Sequence, residues 1–456
     1  MKRRKLLKYI GGISIGSLMP ININASTSKY ESVKDLKKIN CDILVVGGGT
    51  AGVIAALQSA RGGCSTILIE NGSQLGGTTT TGGVAFPGLF HAWGKQVIRG
   101  IGWELVTETV ELGNGTLPDF TIPSGTNHPK HQIHINPYFY TLLAEEKCIE
   151  AGVQIRYYET PVETEFINNN WHTTVMGKGT NIEIVSNQVI DCTGNAFMSA
   201  LAGFNVLREE TIQPGSLMFR IGGYDINKID KYLIREKYNE AISKNVLSKV
   251  DFRNNIIGLL TSRGDNIQHV MGADSTTSET NTLTNIKGRS SLMETLRFLR
   301  TLPGCEKITI ESMQNEVGVR ETYRIDGEYI ITHDDYINGK VFDDSLSYSF
   351  YPIDVHNEHG VEPKHLNKDV VATIPLRALI PKNSKNFIVA GRCISSDREA
   401  NSALRVQASC MGMGQAAGAV AVIAKKRKST PLNVPINEVK EMIAGFGGII
   451  PRKNNL

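Results

Sequence analysis

Cysteine is sparse and unpatterned in this sequence. Cys41, Cys64, Cys148, Cys192, Cys305, Cys393 and Cys410 make an odd set with no CxxC or zinc-type spacing. That argues against a disulfide framework and leaves thiols buried among apolar and small residues. A long apolar run is missing too. The weakly apolar stretch ending at Leu18 is too short and too glycine-rich to span a bilayer. No internal repeat and no low-complexity block breaks the chain. A basic patch is also absent, despite a formal charge of +4. Lys2, Arg3, Arg4, Lys5 and Lys8 supply five positive charges, so the remainder sits at about −1. Nucleic acid is therefore not an expected partner.

What is present is an ordinary globular composition, 41% hydrophobic and 21% charged over 456 residues. That is long enough for two or three domains and a large core. The N-terminus, Arg3-Arg4-Lys5-Leu6-Leu7-Lys8, resembles a twin-arginine export signal and implies the twin-arginine machinery as a partner. Residues 1–25 are expected to be that signal, delivering an exported, periplasmic protein. Residues 26–40 read as a polar linker.

The most informative segment follows. Asp42–Val46 is an apolar run of strand type, and Gly47, Gly49 and Gly52 stand in G-x-G-x-x-G spacing. Residues 50–61 have helix composition, Gly62-Gly63 stops that helix, and residues 65–69 make a second β-rich run ending at Glu70. Gly47 permits the tight turn, Gly49 lets a pyrophosphate approach the backbone, and Gly52 lets helix and strand pack closely. The pyrophosphate is then held at a helix N-terminus, through Thr50 and Ala51, and Glu70 meets an adenosine ribose. Strand-to-glycine elements recur at Val189-Ile190-Asp191-Cys192-Thr193-Gly194 and at Phe387-Ile388-Val389-Ala390-Gly391-Arg392. A helix is expected over 138–151, a strand over 153–158 and a long small-residue helix over 406–424. The nucleotide-binding domain is therefore discontinuous: residues 41–90, 138–205 and 372–428. Residues 91–137 and 206–371 are expected to form a second, mixed-sheet substrate domain, and 429–456 a C-terminal tail. The fold class is α/β, Rossmann-like.

Taken together these motifs resemble the FAD-dependent oxidoreductases that share the glutathione-reductase-type FAD domain. The likeness extends over about residues 41–428. It includes Leu75-Gly76-Gly77-Thr78, Phe219-Arg220-Ile221-Gly222-Gly223, Arg320-Glu321-Thr322, Tyr351-Pro352-Ile353-Asp354-Val355-His356, Ala390-Gly391-Arg392-Cys393-Ile394-Ser395 and Arg405-Val406. There is one departure. Many relatives carry Ser/Thr-His-Glu-Ala where this chain has Ser396-Asp397-Arg398-Glu399-Ala400. The resemblance implies FAD as cofactor. It implies Gly76, Gly77 and Thr78 along the ribityl and pyrophosphate, Val162, Thr193 and Gly194 on the adenosine side, and Gly391 and Arg392 at the final segment. Arg405 and Val406 would open a helix aimed at the flavin C2 carbonyl, favouring the reduced anion.

On the substrate side the candidates are His356 as general base, with Arg320, Arg405 and Arg398 orienting a carboxylate or a sugar hydroxyl array. A salt-bridge network around Arg320, Glu321 and Arg324 is the competing reading. His91 and Trp93 line the pocket or pack between domains. His128, His131 and His134 read as loop histidines, not a metal site. The expected function is hydride transfer between a small organic substrate and flavin N5, with an unidentified electron acceptor. The alternative is a flavin-carrying electron-transfer subunit without a substrate of its own.

Overall fold

The computed structural model describes residues 36–122, 127–248 and 250–453. The stretch expected to be an export signal and most of the expected linker lie outside the described residues.

Strand Lys37–Val46 runs through the centre of a seven-stranded sheet. Ile43 to Val46 are buried on both faces, which is why they read as an unbroken apolar run. Thr66–Glu70 pairs parallel on one side and carries Gln154–Tyr157 beyond it, also parallel. Thr180–Asp191 pairs parallel on the other side along the full length. That long strand has two neighbours on its far edge. Its beginning pairs antiparallel with Asn170–Gly177, which continues to Glu159–Ile167. Its end pairs parallel with Phe387–Val389, in register Ile388 with Ile190. A strand from the last fifth of the chain thus completes a sheet begun at residue 37.

Helices cover this sheet in an unusually close stack. Thr50–Arg61 follows the first strand, and Gln407–Arg427 lies against it. Both are apolar nearly all round, as expected for helices walled in on every side. Their backbones touch. A Cβ at Gly414 would stand 2.2 Å from the Ala51 carbonyl oxygen, and one at Gly418 would stand 2.7 Å from that of Ala55. The first helix is equally tight on its own strand, since a Cβ at Gly52 would meet the Gly47 carbonyl at 1.8 Å. Gly52 is thus a packing glycine, since no larger residue fits between the helix and the turn before it.

A second core lies within residues 217–317, around Leu217, Ile221, Tyr238, Phe252 and Leu299. It joins a small antiparallel sheet, centred on Phe219–Gly222, to the 22-residue helix Ser278–Leu299. That helix starts at a capping box in which Thr277 and Thr280 satisfy each other's backbone. The flanking stretches behave otherwise. Ile101–Leu112 and the Ser345–Ser349 strand bury their apolar side chains in the same core as the main sheet. The residues after the long helix also fold back. Ile436–Gly445 sets Val439 and Ile443 into that main core.

Replacing Gly414 with Ala is expected to cost about 1–3 kcal/mol through overpacking, read as a lower thermal midpoint. Gly445→Ala, where a Cβ meets nothing within 4 Å, is expected to leave the midpoint unchanged or slightly raised. Equal behaviour of the two variants would show that the helices have room to separate.

Candidate active site

Close stacking puts two helix N-termini side by side. The Thr50–Arg61 helix begins at Gly49 with no side-chain cap and no acid in its first turn. The N–H groups of Thr50, Ala51 and Gly52 therefore have no intrahelical acceptor. The Gln407–Arg427 helix begins at Val406, again without a side-chain cap or an early acid. A short hydrogen-bond chain ties the two ends together. The Thr79 hydroxyl donates to Gln407 Oε1 at 2.7 Å and lies 3.2 Å from the Thr50 hydroxyl. Thr50 also lies 3.3 Å from the Gly76 carbonyl. Uncapped helix starts are ready-made anion sites, with N–H groups and dipole aimed outward.

The glycine loops form the walls. Gly76 N–H donates to Gly48 O at 2.8 Å, so the Gly76-Gly77 loop runs beside the Gly47–Gly52 turn. A Cβ at Gly49 would face only Gly77 Cα, at 3.9 Å, and the backbone there stays bare. Thr78 is exposed, and its neighbour Thr79 is the buried bridging hydroxyl. Glu70 braces the turn. Its Oε2 accepts from Gly48 N–H at 2.7 Å and its Oε1 from Gly72 N–H at 2.6 Å. Burial outweighs these bonds and raises its carboxyl above the ordinary range. Each oxygen keeps a further lone pair for a hydroxyl.

The other two segments converge here. Gly391, at φ +103°, sits so that a Cβ would lie 3.3 Å from Ala51 Cβ. Arg392 Nε donates to Gly194 O at 2.7 Å, and its Nη1 donates to Val319 O. Thr193 folds onto Asp191, whose Oδ1 takes both its N–H and its hydroxyl. Val162 stands apart, half exposed at a bulge of the Glu159–Ile167 strand.

The substrate-side candidates also meet, around a group the sequence reading had not selected. Asp354 Oδ2 lies 3.1 Å from His356 Nε2 and 3.4 Å from Arg405 Nη2. Burial raises the Asp354 carboxyl, but His356 and Arg405 more than offset this and hold it at about 2. His356 Nδ1 lies 3.1 Å from His269 Nε2, and the His356 N–H donates to Gln213 Oε1 at 2.9 Å. An ionised Asp354 requires His356 Nε2 to donate. Nδ1 then accepts from His269 Nε2–H, which makes Nδ1, buried beside the Asn357 backbone, the acceptor nitrogen of the His269 ring. Burial lowers both imidazoles, His356 to about 4 and His269 to about 3, with Arg253 and Arg320 adding to the effect on His269. Both rings are therefore neutral near pH 7.

Arg320 is buried among neutral acceptors only: Pro214 O at 2.6 Å, Ser216 Oγ at 3.1 Å and Asn266 Oδ1 at 3.4 Å. Burial, then the nearby Arg405, brings its guanidinium down to about 9. The competing network of Arg320, Glu321 and Arg324 does not form as such. Glu321 takes Gln213 at 2.6 Å and Arg398 at 3.2 Å, while Arg324 pairs with Glu209 at 2.6 Å. Arg398 thus neutralises a buried carboxylate, and Asp397 caps the helix it begins. His91 stacks on Phe120 at 3.7 Å, and Trp93 donates to Val370 O at 2.8 Å. His131 contacts Ile122 O at 2.8 Å, and His128 lies 3.4 Å from the Tyr351 hydroxyl.

A discontinuous three-segment dinucleotide site with two open helix starts defines a flavin-nucleotide oxidoreductase architecture, and comparison places the chain within it. The sequence model of the family named FAD dependent oxidoreductase matches residues 42–443, and the protein belongs to that family, with FAD as its cofactor. Individual relatives match over short stretches. The pseudooxynicotine dehydrogenase of a Pseudomonas species is 34% identical over 84 residues, 16% of this chain and 17% of that one. The thioredoxin reductase of Rickettsia bellii is 29% identical over 140 residues, 28% of this chain and 41% of that one. These alignments span less than half of either relative. Among solved structures, a geranylgeranyl bacteriochlorophyll reductase-like protein of Thermoplasma acidophilum aligns with 90% of this chain and 83% of its own, at 13% identity and a TM-score of 0.39.

The residues present fit FAD. The bare Gly49 backbone and the uncapped Thr50 helix suit the pyrophosphate, and the uncapped Gln407 helix suits the flavin ring. Gly49→Ala is expected to fold normally, because its Cβ meets only an ordinary contact, yet to purify with much less FAD. Full flavin content would show that the pyrophosphate lies elsewhere.

The lowered histidines also set a pH dependence. Their folded pKa values lie below the unfolded value of about 6.5. The unfolded chain takes up protons first, so this stability is complete above pH 6.5 and is lost as pH falls toward 4. The thermal midpoint is expected to drop across that window. His269→Gln with His356→Gln is expected to flatten the drop; an unchanged slope would assign it to other groups.

Proposed function

We propose that the protein transfers a hydride between a small organic substrate and its FAD, with the Asp354–His356–His269 chain handling the accompanying proton. The observation that carries this reading is the buried, neutral imidazole pair anchored on an ionised Asp354 beside Arg405, just before the Gln407 helix start. FAD, when bound, supplies a two-electron acceptor or donor at flavin N5. In the oxidative direction a substrate O–H or N–H proton passes to His269 Nδ1. His269 Nε2–H can then shift toward His356, whose own Nε2–H is held by Asp354. His356 is thus the middle of a relay, since both of its ring nitrogens already have partners. Arg320 and Arg405 orient the substrate, and Arg398 acts at one remove by holding Glu321 and, through it, Gln213. The burial of this cluster favours an enzyme over a flavin-carrying electron-transfer subunit, which needs an open apolar face. An external acceptor takes the electrons onward.

Anaerobic mixing with a panel of polyols, sugars, hydroxy acids and amines is expected to bleach the yellow protein with at least one class. His356→Gln, which can still bond Asp354 but cannot relay a proton, is expected to slow single-turnover reduction ~10²–10⁴-fold at unchanged flavin content. A rate within threefold of the parent would remove His356 from the proton path.

Export through the twin-arginine pathway belongs to the same reading, because that route carries folded, cofactor-loaded proteins. It rests on Arg3-Arg4 and the weakly apolar run behind them. Replacing Arg3 and Arg4 with Lys is expected to strand the protein in the cytoplasm. A parent protein found only in the cytoplasm with Met1–Ala25 intact would refute export.

A further inference from the structure

The charges around Asp354 do not balance. Arg405 is paired with Asp354 at 3.4 Å. Arg320 and Arg253 are coupled to the same carboxylate and to each other, yet among the described residues neither has a carboxylate within ion-pair distance. Both share Asn266 instead: Arg320 Nη2 lies 3.4 Å from its side-chain oxygen, and Arg253 Nη2 donates to its carbonyl at 2.6 Å. Unused donors remain. The Nε–H groups of Arg253 and Arg405 are buried and have no acceptor among the described residues. The neighbours add no negative charge, since the imidazoles are neutral and burial holds the Tyr351 hydroxyl protonated up to about 12. Three guanidinium groups thus face one carboxylate. An unpaired buried cation is costly unless a partner of opposite charge arrives.

We propose that the substrate carries a carboxylate, and that Arg320 and Arg253, with Arg405 at the margin, supply the guanidinium groups that take it. The inference rests on the enzyme reading above and narrows its substrate to organic acids such as hydroxy or amino acids. A sugar is a poor match. Its hydroxyls need acceptors as well as donors, and the carboxylate present is already committed to His356 and Arg405. A carboxylate needs donors alone, and the planar guanidinium fork meets it bidentately. The arrangement also accounts for Arg320 sitting in a site that destabilises it, as groups kept for binding often do.

The test uses the FAD-loaded protein and two matched probes, benzoate and benzamide, followed by the change each makes in the flavin spectrum. Benzoate is expected to bind saturably and at least tenfold more tightly than benzamide. Asn266→Asp places a carboxylate against Arg320 without changing shape, on the residue whose backbone carbonyl already holds Arg253. It is expected to weaken benzoate binding at least tenfold while raising the thermal midpoint, because it pairs the stranded Arg320. Arg320→Gln is expected to weaken benzoate binding similarly without lowering the midpoint. Equal affinity for the two probes, or a benzoate affinity unchanged in Asn266→Asp, would overturn the proposal. So would variants that shift only the flavin midpoint potential, since the arginines would then serve the reduced flavin itself. The two readings fail separately. Flavin bleached by a neutral polyol with no benzoate binding refutes the carboxylate proposal alone. Tight benzoate binding with no compound reducing the flavin refutes the enzyme reading alone.

Discussion

Everything at this site depends on two helices meeting backbone to backbone. Gly414 and Gly418 remove the side chains that would keep the Gln407–Arg427 helix off Ala51 and Ala55. Gly52 does the same between the first helix and its own turn. At ordinary helix spacing, about 8–10 Å between axes, side chains would intervene and the two N-termini would lie apart. At backbone contact a single threonine spans them. Two partial positive charges then act on the same small volume, one suited to a pyrophosphate and one to an electron-rich ring. The glycines are therefore part of the electrostatics of the site as much as of its packing.

Much of this was legible in the chain because it is local. The strand, turn and helix of residues 42–61 obey spacing rules acting over a dozen residues, and the helix appears where its composition places it, Thr50–Arg61. The returning strand Phe387–Val389 and the long helix could be read the same way. Strand length was less legible. The first strand starts at Lys37, inside the expected linker, because Thr180–Asp191 offers it a partner down to that point. Similarly, residues 436–445 are polar enough to read as a tail, yet one apolar stripe finds the underside of the long helix.

The substrate side was half legible. His356, Arg320 and Arg405 stand out as ionisable residues in family strings, but their partners do not. His269 is 87 residues from His356, and Gln213 lies 108 residues from Glu321. No periodicity links positions so distant, and only the packed fold shows which of them touch. Asp354 was in view inside Tyr351–His356, and its role became evident only when Arg405 and His356 were both seen to point at it. Arg320, Glu321 and Arg324 mislead for the same reason. Close in sequence, they face three different neighbourhoods.

The sheet's topology also fixes when the protein can first hold its cofactor during its own synthesis. The nucleotide turn is made from residues near 50, but Phe387–Val389 and the Gln407 helix start come more than three hundred residues later. A nascent chain carrying only the first half displays a glycine-rich turn with one open wall. That wall closes when the last fifth of the polypeptide has left the ribosome. Such long-range closure is slow, because the chain must pay a large loop entropy before any contact rewards it. Loading therefore follows translation, and the interval before it is the protein's most vulnerable period. A supply of free FAD in the compartment of synthesis, sufficient to capture each chain as it closes, becomes a condition of the protein's yield.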